Sequence, residues 1–97
     1  MIDLEISIFD LSNVNGKIID IRDLSKYKNG HIDGAINIPY DELISYHSRY
    51  LNKDDVYYIY CQRGVTSRLC MQILCSFGYK VYSLMGGYDA YILNKKR

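Results

Sequence analysis

Tryptophan is absent from this chain, proline occurs once, and no stretch is biased toward a few residue types. Without repeats, low-complexity tracts or Pro/Gly-rich linkers, nothing divides the 97 residues, and they are read as one domain spanning 1–97. No apolar run approaches the ~20 residues that a membrane-spanning helix needs. Charge of one sign is also lacking. Twelve Lys and Arg face eleven Asp and Glu, for a net charge of +1. That balance excludes the basic face of a nucleic-acid binder and offers little to a strongly acidic partner. The short basic tail, Lys95–Arg97, is read as complementing the dipole of a last helix. The opening Met-Ile-Asp-Leu-Glu has no basic start, apolar stretch or cleavage site, so no secretory leader is expected and the expected location is cytoplasmic. Cysteine is sparse, three residues without framework spacing, which fits reduced thiols. The two histidines and the cysteines show no metal-ligand spacing, so no zinc site is expected.

What is present is an ordinary soluble composition, 48% hydrophobic and 24% charged. A chain of this length buries roughly 60–65% of its unfolded surface. Tyrosine is abundant, eleven residues, and is read as filling aromatic core and rim positions. Strand and helix signals alternate, the pattern of an α/β domain on a parallel sheet. Leu4–Ser7 reads as a short strand, Ile8–Asn13 as a helical turn capped by Ser7, and Asn15-Gly16 as a turn. Lys17–Ile21 and Val56–Tyr60 are strong buried strands, Ala35–Ile38 a short one and Lys80–Leu84 the last. Helices are expected over Asp23–Asn29, closed by Gly30, and after Pro39, where Leu43, His47 and Tyr50 share a stripe beside Ile44 and Leu51. A further helix runs to about Phe77 with Cys70, Ile73, Leu74 and Phe77 on its buried face and Gly78 as its cap. A last helix runs from Gly86-Gly87 to about Asn94.

The chemistry concentrates where Val56–Tyr60 ends. Cys61 is followed by Gln62, Arg63, Gly64, Val65, Thr66 and Ser67, a short loop entering a helix. In an open parallel sheet, ligands gather beyond the carboxyl ends of the strands. Backbone N–H groups and the positive end of the helix favour an anion there, and so favour a thiolate over a thiol. Arg63 and Arg68 would add to this. Such a cysteine acts as a nucleophile without an adjacent histidine, and the same cradle suits a terminal persulfide. The residues alone reach an activated cysteine in an anion-binding loop. They do not choose between sulfur and phosphate chemistry, nor do they set aside a buried structural cysteine.

Four motifs in order add a resemblance. They are Ile19-Asp20-Ile21-Arg22-Asp23; Tyr27 with Gly30-His31-Ile32-Asp33-Gly34-Ala35-Ile36-Asn37-Ile38-Pro39; Tyr60 to Ser67; and Gly86-Gly87-Tyr88-Asp89-Ala90-Tyr91. Together these resemble the rhodanese family over nearly the whole chain. The resemblance implies a three-layer α/β/α fold with a five-stranded parallel sheet of order 3-2-4-5-1, in which the Asp20 and Cys61 strands end side by side. It implies a sulfurtransferase. Cys61 takes a sulfane sulfur from thiosulfate or a persulfide-carrying protein, holds it as a persulfide and passes it to a thiophilic acceptor, with no metal or organic cofactor.

One departure bears on the donor. Many members carry Arg five residues after the cysteine, and here Thr66 stands there, which puts thiosulfate in question as the natural donor. Asp20 and Arg22 are read either as a salt bridge fixing the loops or as substrate contacts. His31 is read as an anchor of its turn, and Cys70 and Cys75 as packing residues with a resolving role as the alternative. Competing functions are a cysteine phosphatase or arsenate reductase, which needs Arg where Ser67 stands, a non-catalytic binding module, and a sulfur-relay partner of a specific protein.

Overall fold

The computed structural model describes residues 4–7, 10–11 and 16–96. Five strands form one parallel sheet: β1 (Glu5–Ile6), β2 (Lys17–Asp20), β3 (Ile36–Asn37), β4 (Val56–Tyr60) and β5 (Lys80–Leu84). Their order is β1-β5-β4-β2-β3, which is 3-2-4-5-1 read from the other edge, as expected. The β2–β4 register pairs Asp20 with Tyr60, so the residues that follow these strands emerge together. Asp10 and Leu11 form part of a helical turn, with the Asp10 N–H on the Ser7 carbonyl at 3.0 Å. The rest of the turn expected over Ile8–Asn13, and Asn15, lie outside the described residues.

Side chains two apart along each strand supply one face. Ile19, Tyr57, Ile59 and Val81 pack on one side with Leu43, Leu51, Cys70, Met71 and Leu74. Ile18, Tyr60 and Leu84 pack on the other with Ile32, Ala35, Tyr88 and Tyr91. Helices therefore cover both faces, giving three layers. Leu43, Ile59 and Leu74 are fully buried, each stabilising the fold by about 1.5–3 kcal/mol through area removed from water. Among the described residues no helix is long and apolar enough to cross a membrane.

The helices are α1 (Leu24–Asn29), α2 (Tyr40–Ser45), α3 (His47–Tyr50), α4 (Val65–Ser76) and α5 (Gly87–Lys95). Two helical expectations are corrected. The segment after Pro39 is two short helices, broken at Tyr46 (φ −125°, ψ 35°). The break leaves His47 against Phe77, ring centroids 4.7 Å apart, with its Nδ1 2.8 Å from the Tyr79 hydroxyl. Tyr50 stays exposed. The buried face of α4 is Ser67, Cys70, Met71 and Leu74, with Phe77 exposed. Ser67 and Met71 displace Ile73 and Phe77 from that role because the face that meets the sheet is set by the loop, where Ser67 must lie under Cys61.

Candidate active site

β4 carries Cys61 past the edge of the sheet, where it stays buried. The chain then turns within three residues into α4. Gly64 makes the turn with φ +94°, and a Cβ there would stand 2.9 Å from the Gly86 nitrogen. Gly87 makes a second close approach from the opposite side, with φ +61°. A Cβ on it would run into the Cys61 carbonyl oxygen and lie 2.8 Å from the Gln62 carbonyl carbon. Only glycine meets both demands, a left-handed backbone and no side chain. The first N–H groups of α5 use this proximity. Tyr88 donates to the Cys61 carbonyl at 2.9 Å and Asp89 to the Gln62 carbonyl at 3.0 Å. The loop's carbonyls are thus held by α5, while its N–H groups face the sulfur. Gly64 N–H donates to Cys61 Sγ at 3.1 Å and Ser67 N–H at 3.3 Å. Two helix N-termini, each carrying partial positive charge, converge on this loop.

Two buried hydroxyls lie beneath the sulfur. Ser67 Oγ is 3.4 Å from Cys61 Sγ and 2.8 Å from Ser83 Oγ on β5. Both serines are fully buried.

A second network stands beside the loop. The Arg22 guanidinium meets the Asp20 carboxylate through Nε at 3.1 Å to each oxygen and through Nη2 at 2.7 Å. Nη2 also reaches the Gly30 carbonyl at 2.7 Å, and Nη1 donates to Gln62 Oε1 at 3.0 Å. Gln62 Nε2 in turn donates to Asp89 at 2.5 Å. The guanidinium lies 4.2 Å from the Tyr88 ring centroid. Tyr60 hydroxyl donates to Asp20 at 2.7 Å and accepts the Ile32 N–H at 3.0 Å. Burial and then the Asp20 hydrogen bond push the Tyr60 phenol well above its usual range, so it remains a neutral donor.

Over the sulfur opens a cavity of about 470 Å³, lined by Cys61, Arg22, Lys26, Tyr40, Arg63 and Thr66 among others. Lys26 and Arg63 are exposed cations with no ion-pair partner among the described residues.

A model of the rhodanese-like domain matches residues 8–94. The chain belongs to the rhodanese-like domain family. Thiosulfate sulfurtransferase GlpE of Shewanella oneidensis is 38% identical over 76 residues, which span 77% of this chain and 74% of that protein. A rhodanese-related protein from Thermoplasma volcanium superposes with a TM-score of 0.84 at 27% identity, over 93% of this chain and 91% of that one. Reduced Bacillus anthracis CoADR-RHD gives the same TM-score at 32% identity over 92% of this chain, which spans 16% of that longer protein.

The rhodanese-like loop brings most of the sequence-predicted residues together. Cys61, Gln62, Arg63, Val65 and Thr66 line the cavity, while Gly64 and Ser67 bind the sulfur from below. Asp20 is fully buried and saturated by Arg22 and Tyr60. Of the two readings of this pair the geometry is that of a loop-fixing salt bridge, with only Arg22 reaching the cavity wall. Arg68 is not brought to the sulfur. Its Nε pairs with Glu5 on β1 at 3.3 Å, and it does not line the cavity. The cause is helical direction, since position 68 lies next to the buried Ser67 and points toward the edge strand. His31 Nδ1 donates to the Tyr27 carbonyl at 2.8 Å and its ring stacks on Tyr27. Cys70 is fully buried, and burial, followed by the nearby Cys61, pushes its thiol up to about 12. Cys75 Sγ bonds the Val81 carbonyl at 3.4 Å.

Three residues at the site, Lys26, Tyr40 and Ser83, escaped the sequence reading, and Asp89 entered it only as part of the Gly86–Tyr91 motif. Lys26 and Tyr40 carry a usable signal. Lys26 follows β2, which pairs with the Cys61 strand, and Tyr40 follows β3 on the far side of β2, both at the carboxyl end of the sheet.

Proposed function

We propose that this protein is a sulfurtransferase in which Cys61 carries the transferred sulfur. The single observation behind this reading is Cys61 Sγ, held by the Gly64 and Ser67 N–H groups at the floor of a cavity rimmed by Lys26 and Arg63. Backbone donors at a helix start stabilise a sulfur anion and need no proton-accepting side chain. With thiosulfate as donor, the Cys61 thiolate attacks the outer sulfur. The S–S bond breaks with its electron pair on the departing sulfite, and Cys61 is left as a persulfide anion. A thiophilic acceptor then takes the outer sulfur and restores the thiolate. Lys26 and Arg63 supply the charge that draws in an anionic donor. No step calls for a metal or an organic cofactor. The same proposal takes residues 1–97 as one domain acting in a reducing cytoplasm, where its three cysteines are free thiols.

The phosphatase reading is weaker on one observation. The position where that chemistry needs Arg is Ser67, engaged with Ser83, and the next residue, Arg68, is drawn to Glu5.

The test is mass analysis of the intact protein after exposure to thiosulfate and, in parallel, to a persulfide-loaded cysteine desulfurase. One added sulfur atom is expected from at least one donor, located by peptide mapping on the Cys61 peptide. Cys70 should stay unmodified, since it is buried and its thiol is not ionised near neutral pH. Sulfur on the Cys70 or Cys75 peptide, or none from either donor, would sink the reading.

The two arginines should separate in thiosulfate kinetics. Arg63→Ala removes an unpaired cation from the cavity wall and is expected to raise the thiosulfate KM by about three- to tenfold. Arg68→Ala removes a surface ion pair with Glu5 and should leave KM within about twofold. Equal effects would mean that Arg63 does not meet the donor.

A further inference from the structure

Ser83 is fully buried two residues after Val81, and so on the same face of β5, the face on which Val81 packs with Cys70, Met71 and Leu74 of α4. A hydroxyl fully buried at a position otherwise suited to an apolar side chain is costly unless it is hydrogen-bonded. Its side-chain partner is Ser67 Oγ, 2.8 Å away, which is in turn 3.4 Å from Cys61 Sγ. The three groups form a row from sulfur to sheet.

This row reads in two directions. With Cys61 as a thiol, S–H donates to Ser67 Oγ, whose proton goes to Ser83. With negative charge on Sγ, the Ser67 O–H turns to the sulfur, and Ser67 Oγ accepts from Ser83. A hydroxyl at 83 serves both states because it both donates and accepts. In the anionic state its donation polarises the Ser67 hydroxyl and fixes its rotamer, strengthening the bond to sulfur.

We propose that Ser83 is a positioning residue that acts through Ser67 to stabilise charge on Sγ at the moment the sulfur is delivered. The proposal rests on Cys61 being the sulfur carrier. In the loaded protein the negative charge lies one atom further out, on the terminal sulfur. On delivery to cyanide, the cyanide carbon bonds to that terminal sulfur and the S–S bond breaks. Its electron pair returns to Sγ, and thiocyanate and the Cys61 thiolate result. Sγ is the leaving group, so any stabilisation of its charge speeds this half-reaction. Loading responds differently. There Sγ is the nucleophile, and stabilising its charge raises the thiolate population while lowering its reactivity, so the two effects oppose each other. Loss of Ser83 should therefore slow delivery selectively and let the persulfide accumulate.

The experiment separates the half-reactions. Protein is loaded with thiosulfate, freed of donor and mixed with cyanide, and thiocyanate release is timed. Loading is timed separately by quenching and intact mass. Ser83→Ala is expected to deliver about fivefold more slowly, to load within about twofold of wild type and to hold a larger persulfide fraction during turnover. Ser83→Thr, which keeps the hydroxyl, should restore delivery. Ser83→Cys, of similar volume and with a weak donor, should fall between and stands in for either variant that fails to fold. Equal slowing of both half-reactions would reveal a merely structural residue and overturn the proposal, as would unchanged delivery in Ser83→Ala. If thiosulfate does not load the wild-type protein, a persulfide-loaded cysteine desulfurase replaces it, and failure to load from both donors is a separate result, which removes the Cys61 carrier reading and this proposal with it.

Discussion

Cys61→Ser is expected to end sulfur loading and thiocyanate formation, a loss of at least about a thousandfold, while the fold survives. The replacement keeps the shape of the side chain. The Gly64 and Ser67 N–H groups that now meet Sγ at 3.1 and 3.3 Å would find an oxygen acceptor in nearly the same place. The clamps from Tyr88 and Asp89 onto the loop carbonyls do not involve the side chain at all. Stability should therefore stay within about 1 kcal/mol of wild type. Chemistry is lost because a hydroxyl does not ionise near neutral pH and is a poor nucleophile toward a sulfane sulfur. Thiocyanate formation from thiosulfate and cyanide, together with a urea melt, checks both halves. Turnover by Cys61→Ser above a tenth of the wild-type rate would exclude Cys61 as the carrier.

Asp20→Ala should have the largest effect on stability. Its carboxylate takes three hydrogen bonds from the Arg22 guanidinium, one from the Arg22 backbone N–H and one from Tyr60. The two side chains are 0% and 5% exposed. Removing Asp20 leaves a buried guanidinium with the Gly30 carbonyl and Gln62 as its hydrogen-bond acceptors among the described residues and the Tyr60 and Tyr88 rings beside it, which costs about 3–5 kcal/mol. A domain of this size holds about 5–15 kcal/mol in all. Chemical denaturation should show the loss as a fall in midpoint with little change in slope. Replacing both partners, Asp20→Leu with Arg22→Met, should recover part of it, because no unpaired charge then remains. Recovery stays incomplete, since Arg22 also ties Gly30 and Gln62. A single substitution costing under 1 kcal/mol would mean that the pair contributes to position rather than to stability.

Much of this arrangement can be read from residue order. β4 is a continuous run of Val, Tyr and Ile, and β2 and β5 carry the β-branched and aromatic cores Ile18-Ile19 and Val81-Tyr82, which allow few alternatives. The loop from Cys61 to Ser67 is legible because Gly64 and the strand before it constrain the turn. What escapes is set by contacts distant in sequence. The break at Tyr46 is followed by His47 bonding Tyr79, 32 residues on, and no local pattern announces it. The buried face of α4 includes Ser67, which looks like a surface residue until it is seen between Cys61 and Ser83. Arg68 illustrates a different gap. Proximity in sequence to the cysteine placed it at the sulfur, whereas helix geometry points it at Glu5.

The hold of α5 on the loop has a consequence during synthesis. Gln62 is bonded to Asp89, 27 residues later, and Gly87 must pass against the Cys61 carbonyl before the turn closes. A nascent chain that has released β4 and α4 from the ribosome still lacks the N–H groups that hold those carbonyls. Domains form as units when their last contributing segment emerges. The cysteine of a partly translated chain is therefore a thiol in an unformed turn, and the interval closes only when residues 87–89 have cleared the exit tunnel.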